Sequence, residues 1–288
     1  MIDSHHHFWK YSAEEYGWIT EDMPALMRDC LVPELDHDLD MSGVDQVISV
    51  QARCSDRENR FLIDQAKKSD DLVAAIVGWA PLTCDSLRVF LDQYIHEPLF
   101  KGVREIIQGT PDEQFLDNAD FDHGVRELTH RDLAFDLLVF HHQLPAAIAF
   151  ADKHPNQRIV LNHGGKPPIC KRGLTDPDSR SWARNIREMA RRPHVYCKLS
   201  GLTTEIQGDD ASWDTALLQP YADTLLNAFG PERIMFGSDW PVCLLNTTYP
   251  AWLNTVDNLI HTLSPDEQAA IRRDTAVQFY KLQVSNAN

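Results

Sequence analysis

The sequence predicts a single (β/α)8 barrel, and three observations carry that expectation. Eight short apolar or β-branched runs recur along the 288 residues. Segments with helical spacing lie between them. No glycine-rich phosphate-binding turn follows the first run, where a doubly wound nucleotide-binding sheet would need GxGxxG or a P-loop. Strand alternating with helix implies a parallel sheet with helical crossovers, and eight such units is the number that closes a barrel.

The runs fall at 1–5, 46–50 (QVISV), 73–79 (VAAIVGW), 102–107 (GVREII), 135–140 (FDLLVF), 158–163 (RIVLNH), 195–200 (VYCKLS) and 233–239 (RIMFGSD). RENRFLIDQAKK, SLRVFLDQYI, PAAIAFADKH, ARNIREMARR and PYADTLLNAF return apolar residues every three or four positions, as amphipathic helices do. The tail from about 249 to 282 reads as one or two helices. With no internal repeat and no Gly/Ser linker, residues 1–288 parse as one domain.

Composition narrows the partner. A hydrophobic fraction of 43% and a charged fraction of 24% describe a folded, soluble globular chain. The formal net charge of −16 argues against nucleic acid and anionic membrane, both of which are bound through clustered Lys and Arg, and leaves a small molecule as the expected ligand. Cys30, Cys54, Cys84, Cys170, Cys197 and Cys243 form no CxxC pair, which reads as reduced thiols in a cytoplasmic protein. The N-terminus lacks a signal pattern, and no apolar run is long enough for a bilayer.

The opening MIDSHHHFWK places three histidines among apolar residues, unlike a purification tag. Alternate side chains of a strand share a face, so His5 and His7 point one way and His6 the other. At the C-terminal end of a first barrel strand, the pair reaches the rim where barrel active sites are built. The same rim collects His141 and His142, Asn162 and His163, Lys198 and Ser200, and Asp239 from later strand ends. Alternation puts Met235, Gly237 and Asp239 on the inner face, with Ile234 and Phe236 toward the helices. His123, His130 and His154 receive no role, and Asp36, His37 and Asp38 read as a solvated face. Imidazoles and a carboxylate converging on one point suit a divalent metal, zinc above all. They equally suit metal-free hydrolysis, in which Asp239 deprotonates water and His, Arg or Lys side chains hold an oxyanion.

These residues resemble the amidohydrolase superfamily, whose barrels carry HxH on the first strand, His on the sixth and Asp on the eighth, here His5-His6-His7, His163 and Asp239. IDSHHHFW, FKGVREIIQ, FDLLV, LNHGGKP and IMFGSDWPV together resemble its lactonase branch over nearly the whole chain. That resemblance implies hydrolysis of a sugar-acid lactone of the L-fucono or L-rhamnono type, with His5, His7, His163 and Asp239 catalytic and Asp239 as base. It leaves two alternatives: decarboxylation of an aromatic acid, and hydrolysis of a carboxylated pyrone lactone. The fifth strand ends in Phe140-His141-His142 and offers no lysine for a two-metal centre. The expected cofactor is therefore at most one divalent ion, zinc first, on His5, His7, His163 and Asp239, with no organic cofactor; the resemblance to the lactonase branch implies that activity can be independent of it, so one zinc or none is expected. Arg104, Lys198, Trp9, Trp240, Gln51 and Lys166 are the expected substrate contacts, the cations for carboxylate, hydroxyl or carbonyl oxygens and the tryptophans for a sugar face. Arg53, Trp18 and Trp79 lie near the same rim.

Overall fold

Alternation along the strands sorts the core into two apolar layers. Val47, Ile76, Val103, Phe135, Ile159 and Ile234 pack outward with helix residues such as Leu62, Phe121, Phe150 and Ile186. Ile48, Val50, Ala75, Val77, Ala134, Val160 and Met235 fill the inside. The computed structural model, described over residues 1–40, 42–110, 114–208 and 213–283, joins these strands into one eight-stranded sheet in sequence order, with parallel pairing from each strand to the next. In chain order the elements are β1 (Ile2–His6), α1 (Val32–Leu39), β2 (Gln46–Val50), α2 (Asp56–Lys67), β3 (Val73–Gly78), α3 (Leu87–Asp92), β4 (Phe100–Ile106), α4 (Ala119–His130) and β5 (Ala134–Leu138). There follow α5 (Leu144–Lys153), β6 (Ile159–Leu161), α6 (Pro177–Met189), β7 (Val195–Leu199), α7 (Thr215–Phe229), β8 (Ile234–Phe236), α8 (Tyr249–Ile260), α9 (Pro265–Ala269) and α10 (Thr275–Tyr280). Asn118, Asp176, Asp214 and Thr248 accept backbone N–H bonds in the first turns of α4, α6, α7 and α8, fixing where those helices begin.

Closure is made by the chain just beyond β8. A parallel bridge joins His6 to Trp240, the His7 N–H donates to the Trp240 carbonyl at 2.7 Å, and the Asp239 N–H donates to the His5 carbonyl at 2.8 Å. The Trp252 indole N–H donates to the Gly237 carbonyl at 2.8 Å, tying α8 to the same turn. At the opposite end, Ala276, Phe279, Tyr280 and Leu282 join the inner layer, so the last helix plugs the barrel from below.

Two strands are shorter than the sequence pattern suggests. β6 stops at Leu161 and β8 at Phe236, and both His163 (φ 52°) and Asp239 (φ 60°) sit in the left-handed region on the turns that follow. Positive φ is uncommon for a residue with a Cβ and gathers at functional sites. The inward aim of Asp239 is thus set by a turn and not by strand alternation, although Met235 does face inward and Ile234 and Phe236 outward as expected. β1 also departs from simple alternation: its register with β2 shifts between Asp3 and His6. Ile2 and, three residues later, His5 can then both face the interior. Among the described residues no helix is long and apolar enough to cross a membrane.

Candidate active site

Asp239 is the focus of the mouth. Its Oδ1 lies 3.4 Å from His7 Nε2, 3.8 Å from His5 Nε2 and 3.8 Å from His163 Nε2. All four residues are almost wholly buried. Each ring is held from its far side. His7 Nδ1 donates to the Val50 carbonyl at 2.8 Å, which leaves its Nε2 lone pair facing the carboxylate. His163 Nδ1 meets the Ser200 hydroxyl at 2.9 Å. His5 Nδ1 lies 3.3 Å from Lys198 Nζ, and its Nε2 lies 3.2 Å from Arg104 Nη1.

Room for this convergence comes from glycines. A Cβ on Gly237 would stand 2.8 Å from the His5 Cβ, and one on Gly201 would stand 2.5 Å from His163 Nδ1. The turn bearing Asp239 is stapled from beneath by Asp3, whose Oδ1 accepts the N–H groups of His5 at 3.0 Å and Ser238 at 2.8 Å, and whose Oδ2 accepts from the Tyr249 hydroxyl at 3.0 Å.

The electrostatics keep the imidazoles neutral and the carboxylate charged. Burial pushes His163 down to about 3, against the attraction of Asp239. Burial, with the Lys198 charge behind it, drives His5 well below the ordinary histidine value. His7 is lowered by burial despite its contact with Asp239. For Asp239 burial acts upward, but His163, His7 and Lys166 together leave the carboxyl below its ordinary value. At neutral pH the centre is one carboxylate surrounded by neutral rings and two nearby cations, a proton acceptor beside hydrogen-bond donors.

A cavity of about 170 Å³ opens on this group. His7, Arg104, His163, Lys166 and Asp239 supply its polar side, and Trp18, Ala52, Ile106, Leu138 and Val242 its apolar side, with Gln108 and Thr204 between. Lys166 is ion-paired to Glu205 at the rim. Arg104 is fixed beside His5 by a bond from Nη2 to the Gln51 carbonyl.

Several expected substrate contacts lie elsewhere. Lys198 is fully buried beneath the cavity, where Asp136 Oδ2 at 2.7 Å, the Ser4 carbonyl at 2.8 Å and His5 Nδ1 take up its ammonium, so it has no donor for a ligand. Trp9 is a core residue whose indole N–H donates to the Arg28 carbonyl at 2.9 Å, and Trp240 is another, bonded to Asp38 at 2.6 Å. The aromatic wall of the cavity is Trp18 instead, 39% exposed and packed edge-on against Trp9. Gln51 is buried behind Arg104, donating to its carbonyl at 3.2 Å. Asp38 is thereby a partner of Trp240 and not part of a solvated face. Arg53 is committed to Glu58 at 2.7 Å and to Glu15. His141 and His142 stand outside the cavity lining.

Sequence reasoning passed over Asp3 and Asp136. The available signal was a lone acid inside an apolar run, IDSH and FDLLVF, which a buried strand tolerates only when the charge is partnered. Asp136 is the more elaborate case. It accepts from Tyr280 at 2.7 Å on Oδ1 and from Asn162 at 3.0 Å on Oδ2, besides Lys198.

The donor set also fits a divalent cation in kind. His5, His7 and Asp239 each place one ligand atom within 4.8 Å of the other two, the spacing and N/O chemistry one zinc-type ion takes. The end of β5 contributes no lysine for a second ion.

Comparison with known proteins agrees with this geometry. The chain is 39% identical over 286 residues to the L-fucono-1,5-lactonase of Burkholderia multivorans, an alignment covering 98% of this chain and 96% of the relative. It is 33% identical over 285 residues to the L-fucono-1,5-lactonase of Burkholderia ambifaria, covering 98% and 95%. A zinc-bound amidohydrolase crystal structure from Burkholderia multivorans superposes with a TM-score of 0.92 at 39% identity, covering 98% of this chain and 99% of that one. The sequence profile described as Amidohydrolase matches residues 2–282, and with the strand-end histidines and Asp239 gathered at one barrel mouth, the chain belongs to the amidohydrolase family.

Proposed function

We propose that the protein hydrolyses a sugar-acid lactone of the L-fucono type to the open hydroxy acid. The observation that carries this reading is the convergence of three imidazole Nε2 atoms within 3.8 Å of one ionised carboxylate oxygen, over a cavity walled by Trp18 and aliphatic side chains. Full-length similarity to two L-fucono-1,5-lactonases supports it.

Ester cleavage in a ring needs a proton removed from water as the tetrahedral centre forms, and a proton delivered to the ring oxygen as the C–O bond breaks. Asp239, ionised and buried, can perform both steps in turn. Arg104 lines the cavity where carbonyl oxygen becomes oxyanion, and in a dry site such a donor is worth far more than in water. Trp18 offers a flat apolar face to a sugar ring, and Lys166 and Gln108 offer donors to ring hydroxyls. A single divalent ion would be held by His5, His7 and Asp239 with His163 beside them, and would supply Lewis-acid polarisation of the lactone carbonyl. A cytoplasmic setting belongs to the reading, supported by six free thiols.

The test is a panel of aldonolactones followed by proton release at neutral pH. Turnover of L-fucono- or L-rhamnono-type lactones is expected, and no turnover of any L-fucono-, L-rhamnono- or D-galactono-type lactone would overturn the sugar reading.

A further inference from the structure

The charged groups at the mouth balance. Arg104 and Lys166 are the cations that line the cavity, and Asp239 is its carboxylate. The fourth charge stands just behind the wall, where Glu205 Oε1 accepts from Lys166 Nζ with the two side chains only 16% and 14% exposed. Two positive groups thus face two negative ones before any ligand enters, and an uncharged lactone leaves that balance intact. A ligand carboxylate does not. It arrives beside Asp239 in a half-closed site, where water screens poorly, and finds the Lys166 ammonium already taken.

The backbone holds both partners in place. His163, Gly164, Gly165 and Lys166 all have positive φ, at 52°, 58°, 69° and 50°, so the chain turns sharply after β6. That turn carries the Lys166 ammonium over the Phe140 ring, 5.6 Å from its centroid. Glu205 comes from the turn after β7. The Ile169 N–H donates to the Glu205 carbonyl at 3.2 Å, and the Gln207 N–H returns to the Ile169 carbonyl at 2.8 Å. Asn246, from the chain after β8, donates its amide N–H to the Thr203 carbonyl at 2.8 Å. Three mouth loops therefore fix the backbone on which the carboxylate stands, and the pair is assembled before a ligand arrives.

We propose that Glu205 is a specificity-determining residue: by neutralising Lys166 it reserves the cavity for uncharged lactones and turns away carboxylated ones. The assignment rests on the lactone-hydrolysis reading, in which water opens a neutral ring to a hydroxy acid that gives up its proton, so the product carries a charge the substrate lacked. That carboxylate forms beside Asp239 with no free ammonium to retain it, and repulsion favours its departure. Lys166 gives one of its three protons to Glu205 and keeps the others for neutral oxygens of the substrate. Glu205 itself lies outside the cavity lining and acts through Lys166. The same balance disfavours a pyrone dicarboxylate or an aromatic acid as substrate, since each brings negative charge to a site with no cation to spare.

The experiment compares the native full chain with Glu205→Gln and with the pair Glu205→Gln, Lys166→Met. Glutamine keeps the shape and an acceptor oxygen for Lys166 while removing the charge. Affinity for the L-fuconate anion is read by titration calorimetry, which needs no turnover. Glu205→Gln should bind that anion about tenfold more tightly than the native protein, because one cation loses its counter-charge, and adding Lys166→Met should abolish the gain. Unchanged anion affinity in Glu205→Gln, or a gain that survives Lys166→Met, overturns the inference. A second measurement needs no variant: the native protein should hydrolyse L-fucono-1,5-lactone far faster than 2-pyrone-4,6-dicarboxylate, and equal turnover of the two overturns the inference while leaving lactone hydrolysis standing. A protein inert toward every lactone removes the hydrolysis reading instead, and the calorimetry still decides the role of the charge pair, so the two fail separately.

Discussion

Asp3 and Ser238, at opposite ends of the chain, are joined by a 2.8 Å hydrogen bond from the Ser238 N–H to Asp3 Oδ1. The same oxygen accepts the His5 N–H, and the other accepts the Tyr249 hydroxyl. One buried carboxylate therefore holds together the strand that carries the histidine pair, the turn that carries Asp239 and the helix that follows. Asp3→Ala leaves three buried donors without a partner, and at about 1–3 kcal/mol for each such group it should lose several kcal/mol of stability along with most activity. Asp3→Asn keeps one acceptor oxygen and should lose less on both counts. Urea unfolding at pH 7.5 with parallel kcat measurement decides this, and an Asp3→Ala protein of native stability would show that the staple contributes nothing.

Asp239 has three imidazole neighbours, and its role as base can be isolated by a substitution that keeps its shape. Asp239→Asn preserves size and shape and removes the proton acceptor. General-base assistance is worth roughly 10²–10⁴-fold, and kcat should fall by about that factor while lactone or product still binds. Near-native turnover would make Asp239 structural and move the search for the base to His163.

The buried histidines predict acid lability. His163 titrates near 3 in the fold against an ordinary 6.5, so the unfolded chain takes the proton first, and the stability it contributes is present above 6.5 and lost as pH falls toward 3. At pH 5 this one group contributes about 2 kcal/mol of destabilisation, from 1.5 units at about 1.4 kcal/mol each. His5, His6 and His7 are lowered by burial and act with the same sign. Asp3 acts oppositely: burial raises it to about 6, so the folded state gains from its protonation between 6 and 3.8. Glu58 and Glu105, also raised by burial, act with Asp3, and the four histidines against these carboxyls should leave a net loss of stability between pH 7.5 and 5 in urea titrations. A flat profile over that interval would mean that the rings are not held neutral by burial.

The barrel was legible because its signal is periodic. Apolar runs such as QVISV and FDLLVF coincide with β2 and β5 to within a residue or two, and the opposed faces of His5 and His6 follow from strand parity, His6 being turned toward Ser49 at 2.9 Å and the ring of Phe8. What parity cannot supply is the backbone beyond a strand end. His163 and Asp239 reach the mouth through left-handed turns, and the register shift in β1 brings Ile2 and His5 to one side, features that depend on pairing across the sheet. Depth was the other blind spot. Lys198 has the strand position of a mouth residue but lies low enough to meet Asp136 and Tyr280, and Trp240 is turned away from the cavity toward Asp38, while Trp18 on an irregular loop provides the wall. Such placements are decided by partners far away in the sequence, Asp136 and Tyr280 for Lys198 and Asp38 for Trp240.

Gly201 offers a sharp test of how tightly the site is built. It follows β7 with φ +61°, and a Cβ there would lie 2.5 Å from His163 Nδ1, 2.8 Å from its Cγ and 3.0 Å from Asp239 Oδ2. Gly201→Ala must therefore push the imidazole off its Ser200 hydrogen bond and crowd the carboxylate, besides the roughly 1–2 kcal/mol that a left-handed backbone costs a residue with a side chain. The surrounding barrel has no reason to unfold for one methyl group, so the global penalty should stay near that figure. Catalytic geometry is less forgiving, since displacement of a reacting group by about 1 Å can cost about 10²-fold. The expected variant is a folded protein with kcat/KM reduced by about that factor, checked by unfolding and steady-state kinetics on the same preparation. If turnover stays near native, His163 can move without consequence, and the centre reduces to Asp239 with the pair from β1.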